Sequence, residues 1–255
     1  MGKYVFLSPH FDDAAYSCGG TIVQLVQQGE DVTVVTVMGG SLPDPVPQSP
    51  LIAMLHARWA VGSDPIAIRQ QEDHVAIAAL GATLIQLPVP DCIYRTVNGV
   101  ILYPDEVSLW GAIHLQDNIN HWLSDTTIVT EFMQNADVLY APLGVGQHVD
   151  HRLTRLWALE LAKQFSSVSL QFYTDYPYMK DTKQISIALT QLSVAVQPRW
   201  VHLSHDELDA KIAAMGKYTS QISSFWQDTD ALRHDVETTF RVKNNLWGER
   251  YWIRA

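Results

Sequence analysis

Ser8-Pro9-His10-Phe11-Asp12-Asp13 decides the fold, because it lies between an apolar run, Tyr4-Val5-Phe6-Leu7, and a helix-like segment that ends near Gly29. A strand, a short loop and a helix in that order are half of a parallel βαβ unit. The arrangement puts His10, Asp12 and Asp13 at the carboxyl end of a strand, the edge where open α/β sheets bind ligands. A second stretch has the same form. Gly146-Gln147-His148-Val149-Asp150-His151 follows the apolar run Asp137 to Ala141 and opens a helical stretch from Leu153 to Lys163. Two such loops on one sheet edge would bring His10, Asp12, Asp13, His148, Asp150 and His151 together.

Outward from these loops, hydrophobic runs at residues 32–38, 83–89, 138–141, 168–173 and 193–201 read as further strands, with helical patterns between most of them. The alternation predicts a three-layer α/β/α sandwich around a mostly parallel, Rossmann-like sheet. A chain of 255 residues that is 47% hydrophobic has enough apolar surface for one large core, so residues 1–255 are expected to form a single domain. Gly39 to Pro65 holds five prolines and reads as a long loop with a short helix from Leu51 to Val61, placed at the same edge as a lid or pocket wall. Ser204 with Glu207 three residues on reads as a capping box opening a helix with apolar positions Leu208, Ile212, Met215 and Ile222. The aromatic tail, Leu246 to Ile253, is expected to dock as packing.

Two histidine nitrogens and one carboxylate oxygen form a recurrent catalytic zinc set that leaves a coordination position for water. The two cysteines, Cys18 and Cys92, cannot build a closed structural zinc site. Adjacent Asp12 and Asp13 suggest a division of labour, one carboxylate on the metal and the other within proton-transfer reach of the water. The remaining histidines, His56, His74, His114, His121, His202, His205 and His234, have no comparable strand-end setting and read as surface or core residues. Asp12, Asp13 and Asp150 also sit where an aspartate serves as a helix cap, so capping is the competing reading for each.

In order and context, His10-Phe11-Asp12-Asp13-Ala14, the following Cys18-Gly19-Gly20, and His148-Val149-Asp150-His151 resemble the paired motifs of the PIG-L or LmbE-like zinc-dependent N-deacetylases. The resemblance spans nearly the whole chain. It implies that His10, Asp13 and His151 hold zinc, with another divalent metal as the alternative. It further implies that Asp12 is the general base acting on the water, and that His148 faces the developing oxyanion, as an imidazolium that stabilises it and later protonates the leaving amine. Asp150 is then the carboxylate that orients a histidine and raises its basicity. Phe11 and Ala14 depart from the more familiar form of the motif, which bears on the support of the loop and on the subfamily.

Arg69, Asp91 and Asp175 are the candidates for sugar hydroxyls: a guanidinium is a forked donor, and carboxylates are the complementary acceptors. A structural salt bridge at Arg69 or Asp91, and a turn built around Tyr176-Pro177 beside Asp175, are the competing readings. The implied partner is a small N-acetylated sugar, of the N-acetylglucosamine type or a conjugate of it, whose acetyl group is removed by hydrolysis.

A net charge of −10 without a basic cluster argues against nucleic-acid binding. No apolar run approaches the roughly 20 residues of a membrane helix, and Met1-Gly2-Lys3 leads straight into the first strand, so a cytoplasmic protein with no membrane insertion is expected. Two other functions remain open to the residues alone. One is a non-catalytic sugar- or nucleotide-binding module, although Cys18-Gly19-Gly20 lacks the spacing of a dinucleotide fingerprint. The other is a metallohydrolase acting on a different amide or on an ester.

Overall fold

The computed structural model describes residues 1–59, 64–123, 125–243 and 246–255. The chain opens with β1 (Lys3–Ser8), α1 (Asp13–Gln27) and β2 (Asp31–Thr36), followed by α2 (Pro50–Trp59), α3 (Pro65–Ala79) and β3 (Thr83–Gln86). A small hairpin, β4 (Thr96–Val97) with β5 (Val100–Ile101), precedes three short helices, α4 (Glu106–Leu109), α5 (Ile119–Trp122) and α6 (Thr127–Met133). Then come β6 (Val138–Pro142), α7 (Val149–Gln164), β7 (Ser169–Tyr173), α8 (Thr182–Thr190) and β8 (Val196–Leu203). The carboxyl-terminal part is α9 (His205–Met215), α10 (Thr219–Phe225), α11 (Thr229–Thr239), β9 (Arg241–Lys243) and β10 (Leu246–Arg254).

The main sheet runs β3-β2-β1-β6-β7-β10-β8, with β9 paired to β10. The first five are parallel, and β10 runs antiparallel to β7, β8 and β9. Side chains alternate across the pleat, and the core divides accordingly. Phe6, Val34 and Tyr140 face α1, α2, α3, α9 and α11 on one side. Val5, Leu7, Val35, Leu139 and Ala141 face α5, α6, α7 and α8 on the other. Burial on both faces explains why these strands read as continuous apolar runs, and it is the expected three-layer arrangement.

β1 lies between β2 and β6, in register Ser8 with Thr36 and Phe6 with Tyr140. The winding reverses there, and such a switch point opens a crevice beyond the strands' carboxyl ends. The loops after β1 and after β6 both empty into it.

Two expectations need correction. The aromatic tail is β10, a strand inside the sheet with Tyr251 opposite Tyr173 and Trp247 opposite Leu203. Its inward alternation, Trp247, Glu249, Tyr251, is interrupted by a charged residue that is nonetheless buried, which hides the strand from a hydrophobicity reading. The predicted helix after Ser204 is two helices, because α9 stops at Met215 before Gly216 and α10 restarts at Thr219. α10 is capped from a distance: Glu72 accepts from Ser220 N at 2.8 Å and from Thr219 Oγ1 and Ser220 Oγ at 2.6 Å each. The helix expected from Leu51 to Val61 is present as α2, Pro50–Trp59, and residues 60–61 of that expectation lie outside the described residues.

Candidate active site

The first loop is shaped by Ser8, whose hydroxyl donates to the His10 carbonyl at 2.6 Å and accepts from Ala14 N at 2.9 Å. This closes residues 9–13 against the start of α1. Inside the turn, His10 N donates to Asp13 Oδ2 at 2.8 Å, and His10 Nδ1 lies 3.2 Å from the same oxygen. Asp12 occupies the cap position of α1, yet its side chain makes no capping bond. Its carboxylate instead lines a cavity of about 250 Å³ with His10, Asp13 and His148. Capping therefore does not account for Asp12.

The second loop needs backbone that only glycine adopts freely. Gly144 and Gly146 sit at φ of +80° and +86°, and a Cβ on Gly146 would meet the Tyr178 ring at 2.7 Å. Released by this turn, Gly144 N and Val145 N both donate to Asp175 Oδ2 at 2.9 Å. His148, rather than Asp150, caps α7: its Nδ1 accepts from Asp150 N at 3.3 Å. Nδ1 is thus an acceptor, and the ring proton falls on Nε2.

Each of the two remaining imidazoles is held between carboxylates. His10 Nε2 is 3.0 Å from Asp150 Oδ2 while its Nδ1 faces Asp13. His151 Nδ1 is 2.7 Å from Asp175 Oδ1 while its Nε2 lies 3.4 Å from Asp13 Oδ1. Two donors of a tetrahedral ion at about 2.1 Å stand about 3.4 Å apart, so the separation of His151 and Asp13 suits a shared cation. A histidine whose far nitrogen is fixed by a carboxylate is the usual support for a metal ligand, and the donors fit a zinc-type ion on that ground too. His10, His148 and His151 also each place a nitrogen within 4.8 Å of the others'.

Electrostatics separates the neighbouring aspartates. Burial and the charge of Asp13 push the Asp12 carboxyl up to about 6. Burial acts in the same direction on Asp13, but His151 and His10 outweigh it and hold that carboxyl low. Burial would lower His10 and His151; Asp13, with Asp91 at His10 and Asp175 at His151, raises both instead. His148 is driven well below the usual histidine range by burial and by His10 and His151. This direction favours the neutral ring in the free site, whereas the sequence-based expectation was an imidazolium.

Of the three expected sugar contacts, Arg69 and Asp91 line the cavity. Arg69 is sandwiched with its Cζ 5.3 Å from the Phe11 ring centre and 4.7 Å from that of Trp59, and its Nε has no hydrogen-bond partner among the described residues. Phe11, the departure in the motif, is thus part of this clamp. Asp91 accepts from Ile93 N at 3.2 Å and approaches His10 Nε2 at 3.9 Å. Asp175 is 1% exposed and sits behind His151, with both oxygens taken up by His151 and the two backbone amides. That geometry suits orientation of the imidazole rather than contact with a sugar.

Sequence reasoning missed the group behind Asp150. Arg95, fully buried, pairs with Asp150 and is itself held by Asp117 at 3.0 Å. Arg95 shares the loop of Asp91, which was the one local signal; its partners lie too far along the chain for spacing to reveal. Trp110 also went unnoticed, with its ring centre 5.1 Å from that of His148, while Tyr178, one of the aromatic neighbours of Asp175, stands 5.6 Å from His151.

The relatives of such a fold and site define the class, a hydrolytic N-deacetylase. A 2'-N-acetylparomamine deacetylase of Niallia circulans is 32% identical over 191 residues, 69% of this chain and 67% of its own. A protein of the same description from Streptomyces fradiae is 25% identical over 248 residues, 96% of this chain and 81% of its own. Teicoplanin deacetylase Orf2, solved in a zinc-inhibited form, shares the fold with a TM-score of 0.79 over 99% of this chain and 98% of that one, at 22% identity. The family model described as PIG-L, GlcNAc-PI de-N-acetylase, matches residues 5–162, and the chain belongs to that family. No helix among the described residues is long and apolar enough to cross a membrane.

Proposed function

We propose that the protein removes the acetyl group from an N-acetylated amino sugar carried in a conjugate, using zinc held by His10, Asp13 and His151. The observation that carries this reading is the Asp13 carboxylate between His10 Nδ1 and His151 Nε2, with each ring's other nitrogen fixed by Asp150 or Asp175. The deacetylases among the relatives, both acting by name on an acetylated amino-sugar compound, support the substrate class. A divalent ion at these donors supplies Lewis acidity that polarises a carbonyl and acidifies a water.

The side chains divide the remaining work. Asp12, uncapped, cavity-facing and shifted to about 6, takes a proton from the attacking water as its oxygen bonds to the acetamide carbon. His148, neutral and with its proton on Nε2, donates a hydrogen bond to the oxygen on which charge develops. When the C–N bond breaks, the proton carried by Asp12 passes to the departing amine, leaving acetate and a free amino sugar. Arg69 and Asp91 meet hydroxyls of the sugar. Asp150 and Asp175 act through the imidazoles they touch.

The test is acetate release from a panel of N-acetylglucosamine derivatives by protein loaded with one equivalent of zinc and freed of excess metal. Release that tracks zinc occupancy is expected. No acetate from any member of the panel, or phosphate released faster than acetate from phosphorylated members, would sink the proposal.

A further inference from the structure

The cavity has two unlike halves. Asp12, Asp13, Arg69 and His148 are each at most 9% exposed and form its floor. The rest of its lining includes Leu51, Met54, Leu55, Leu109, Trp110 and Phe225, supplied by α2, by the turn at α4 and by α10, with the exposed Met54, Trp110 and Phe225 marking the mouth. Met54, Trp110 and Phe225 are 39%, 41% and 42% exposed. Three large, partly bare apolar side chains around one opening are more than the scattered exposure ordinary for a surface.

A sugar ring can stack on Trp110 or Phe225 but does not account for the aliphatic part of that lining. Its edges carry hydroxyls that need donors and acceptors, and its CH face suits a flat aromatic ring. Leu51, Met54, Leu55 and Leu109 offer neither. A polycationic group is no better served, because the charged residues at the opening are one Arg58 and one Glu106, both exposed and of opposite sign. What the mouth does match is hydrocarbon.

We propose that the mouth is a subsite for an apolar aglycone, an alkyl chain or an unsubstituted aromatic ring attached to the acetylated sugar, with Met54 and Phe225 as specificity-determining contacts. The proposal rests on the deacetylase reading, in that the floor takes the acetylated sugar and the mouth takes what the sugar is attached to. It separates this protein's preference from the aminoglycoside named for its curated relatives.

The experiment is calorimetric binding of the methyl, hexyl and phenyl glycosides of N-acetylglucosamine, and of 2'-N-acetylparomamine, to the zinc-loaded full chain, followed by acetate release from each. The hexyl and phenyl glycosides are expected to bind about tenfold more tightly than the methyl glycoside, since partial burial of a few methylenes suffices for that factor. Met54→Ser and Phe225→Ser are expected to cut the ratio to about threefold or less, with melting checked to establish folding. Equal affinity for the methyl, hexyl and phenyl glycosides in the unaltered protein would overturn the proposal, as would tighter binding of 2'-N-acetylparomamine than of the hexyl glycoside. Hexyl preference without acetate release would leave the subsite standing and sink the deacetylase reading. Acetate release without that preference would do the reverse.

Discussion

Two buried clusters of charge flank α1, and they are built on opposite rules. On the far side of the helix, Glu249 accepts from Gly20 N at 3.0 Å, Thr21 N at 2.9 Å, Thr21 Oγ1 at 2.5 Å, Lys211 Nζ at 2.7 Å and Tyr251 OH at 3.1 Å. Lys211 is fully buried, with its ammonium 3.9 Å from the Phe240 ring centre. Every charge there meets a partner, and the result ties α1, α9 and β10 together. At the helix's amino-terminal end, Asp12 stands beside a second carboxylate without a capping bond, and Arg69 is buried among rings with its Nε unpartnered among the described residues. Buried groups that satisfy one another hold a fold; buried groups left over are held ready for something that is not part of the chain.

If that contrast is sound, the sharpest break comes at Asp12. Asp12→Asn keeps the shape and removes the base, so acetate release should fall by about 10²–10⁴. Stability should hold or rise, because the like charge beside Asp13 is gone. A variant that keeps more than about a tenth of the activity would show that proton transfer runs through another group.

The opposite result is expected at Glu249. Glu249→Ala leaves Lys211 buried without its partner and should cost about 3–5 kcal/mol in urea unfolding, with zinc affinity of the folded fraction little changed. A loss below about 1 kcal/mol would mean that the cluster is not the tie its geometry indicates.

How much of this was legible in the chain follows from the range of each interaction. The loops after β1 and β6 could be read because their chemistry is local: an apolar run, a turn, His and Asp within six residues, then a helix. The same holds for the Ser204 cap, whose hydroxyl accepts from Glu207 N at 3.2 Å while Glu207 Oε2 accepts from Ser204 N at 2.7 Å. β10 was hidden because Glu249 breaks its apolar alternation, and its partner Lys211 is remote in sequence. Arg95 behind Asp150 and Asp175 behind His151 were illegible as support for the same reason: each pairing joins separate strand-end loops, and only the sheet order brings those loops together.

Asp175 sharpens the comparison by belonging to both kinds of cluster, satisfied by the fold through Gly144 and Val145 yet aimed at a site imidazole. Asp175→Asn can keep its backbone contacts through the amide oxygen while weakening its hold on His151 Nδ1. Zinc affinity, measured by competition with a chelator, should fall about 10–100-fold. Unchanged affinity would make Asp175 a structural residue only.

The smallest expected effect tests where the boundary between the two clusters runs. Asp73, on α3, accepts from Thr36 Oγ1 at 2.7 Å, Gln86 Nε2 at 3.1 Å and Tyr218 OH at 2.8 Å, so by partners it belongs with the satisfied groups. Burial nevertheless outweighs those bonds and lifts its carboxyl from 3.8 to about 7. A folded value above the unfolded one means that the native state keeps a proton the unfolded chain has released. Its contribution to stability is therefore complete below about pH 4 and is lost as pH rises towards about 7. Asp73→Asn mimics the protonated form, and its amide can donate to Tyr218 OH, a hydroxyl able to turn and accept. Relative to the variant, the unaltered protein should lose about 2 kcal/mol between about pH 5 and pH 7 in urea unfolding, levelling off above about pH 8. A difference between the two that stays constant over the range would show Asp73 ionised throughout, its three donors outweighing burial, and would place it wholly with Glu249.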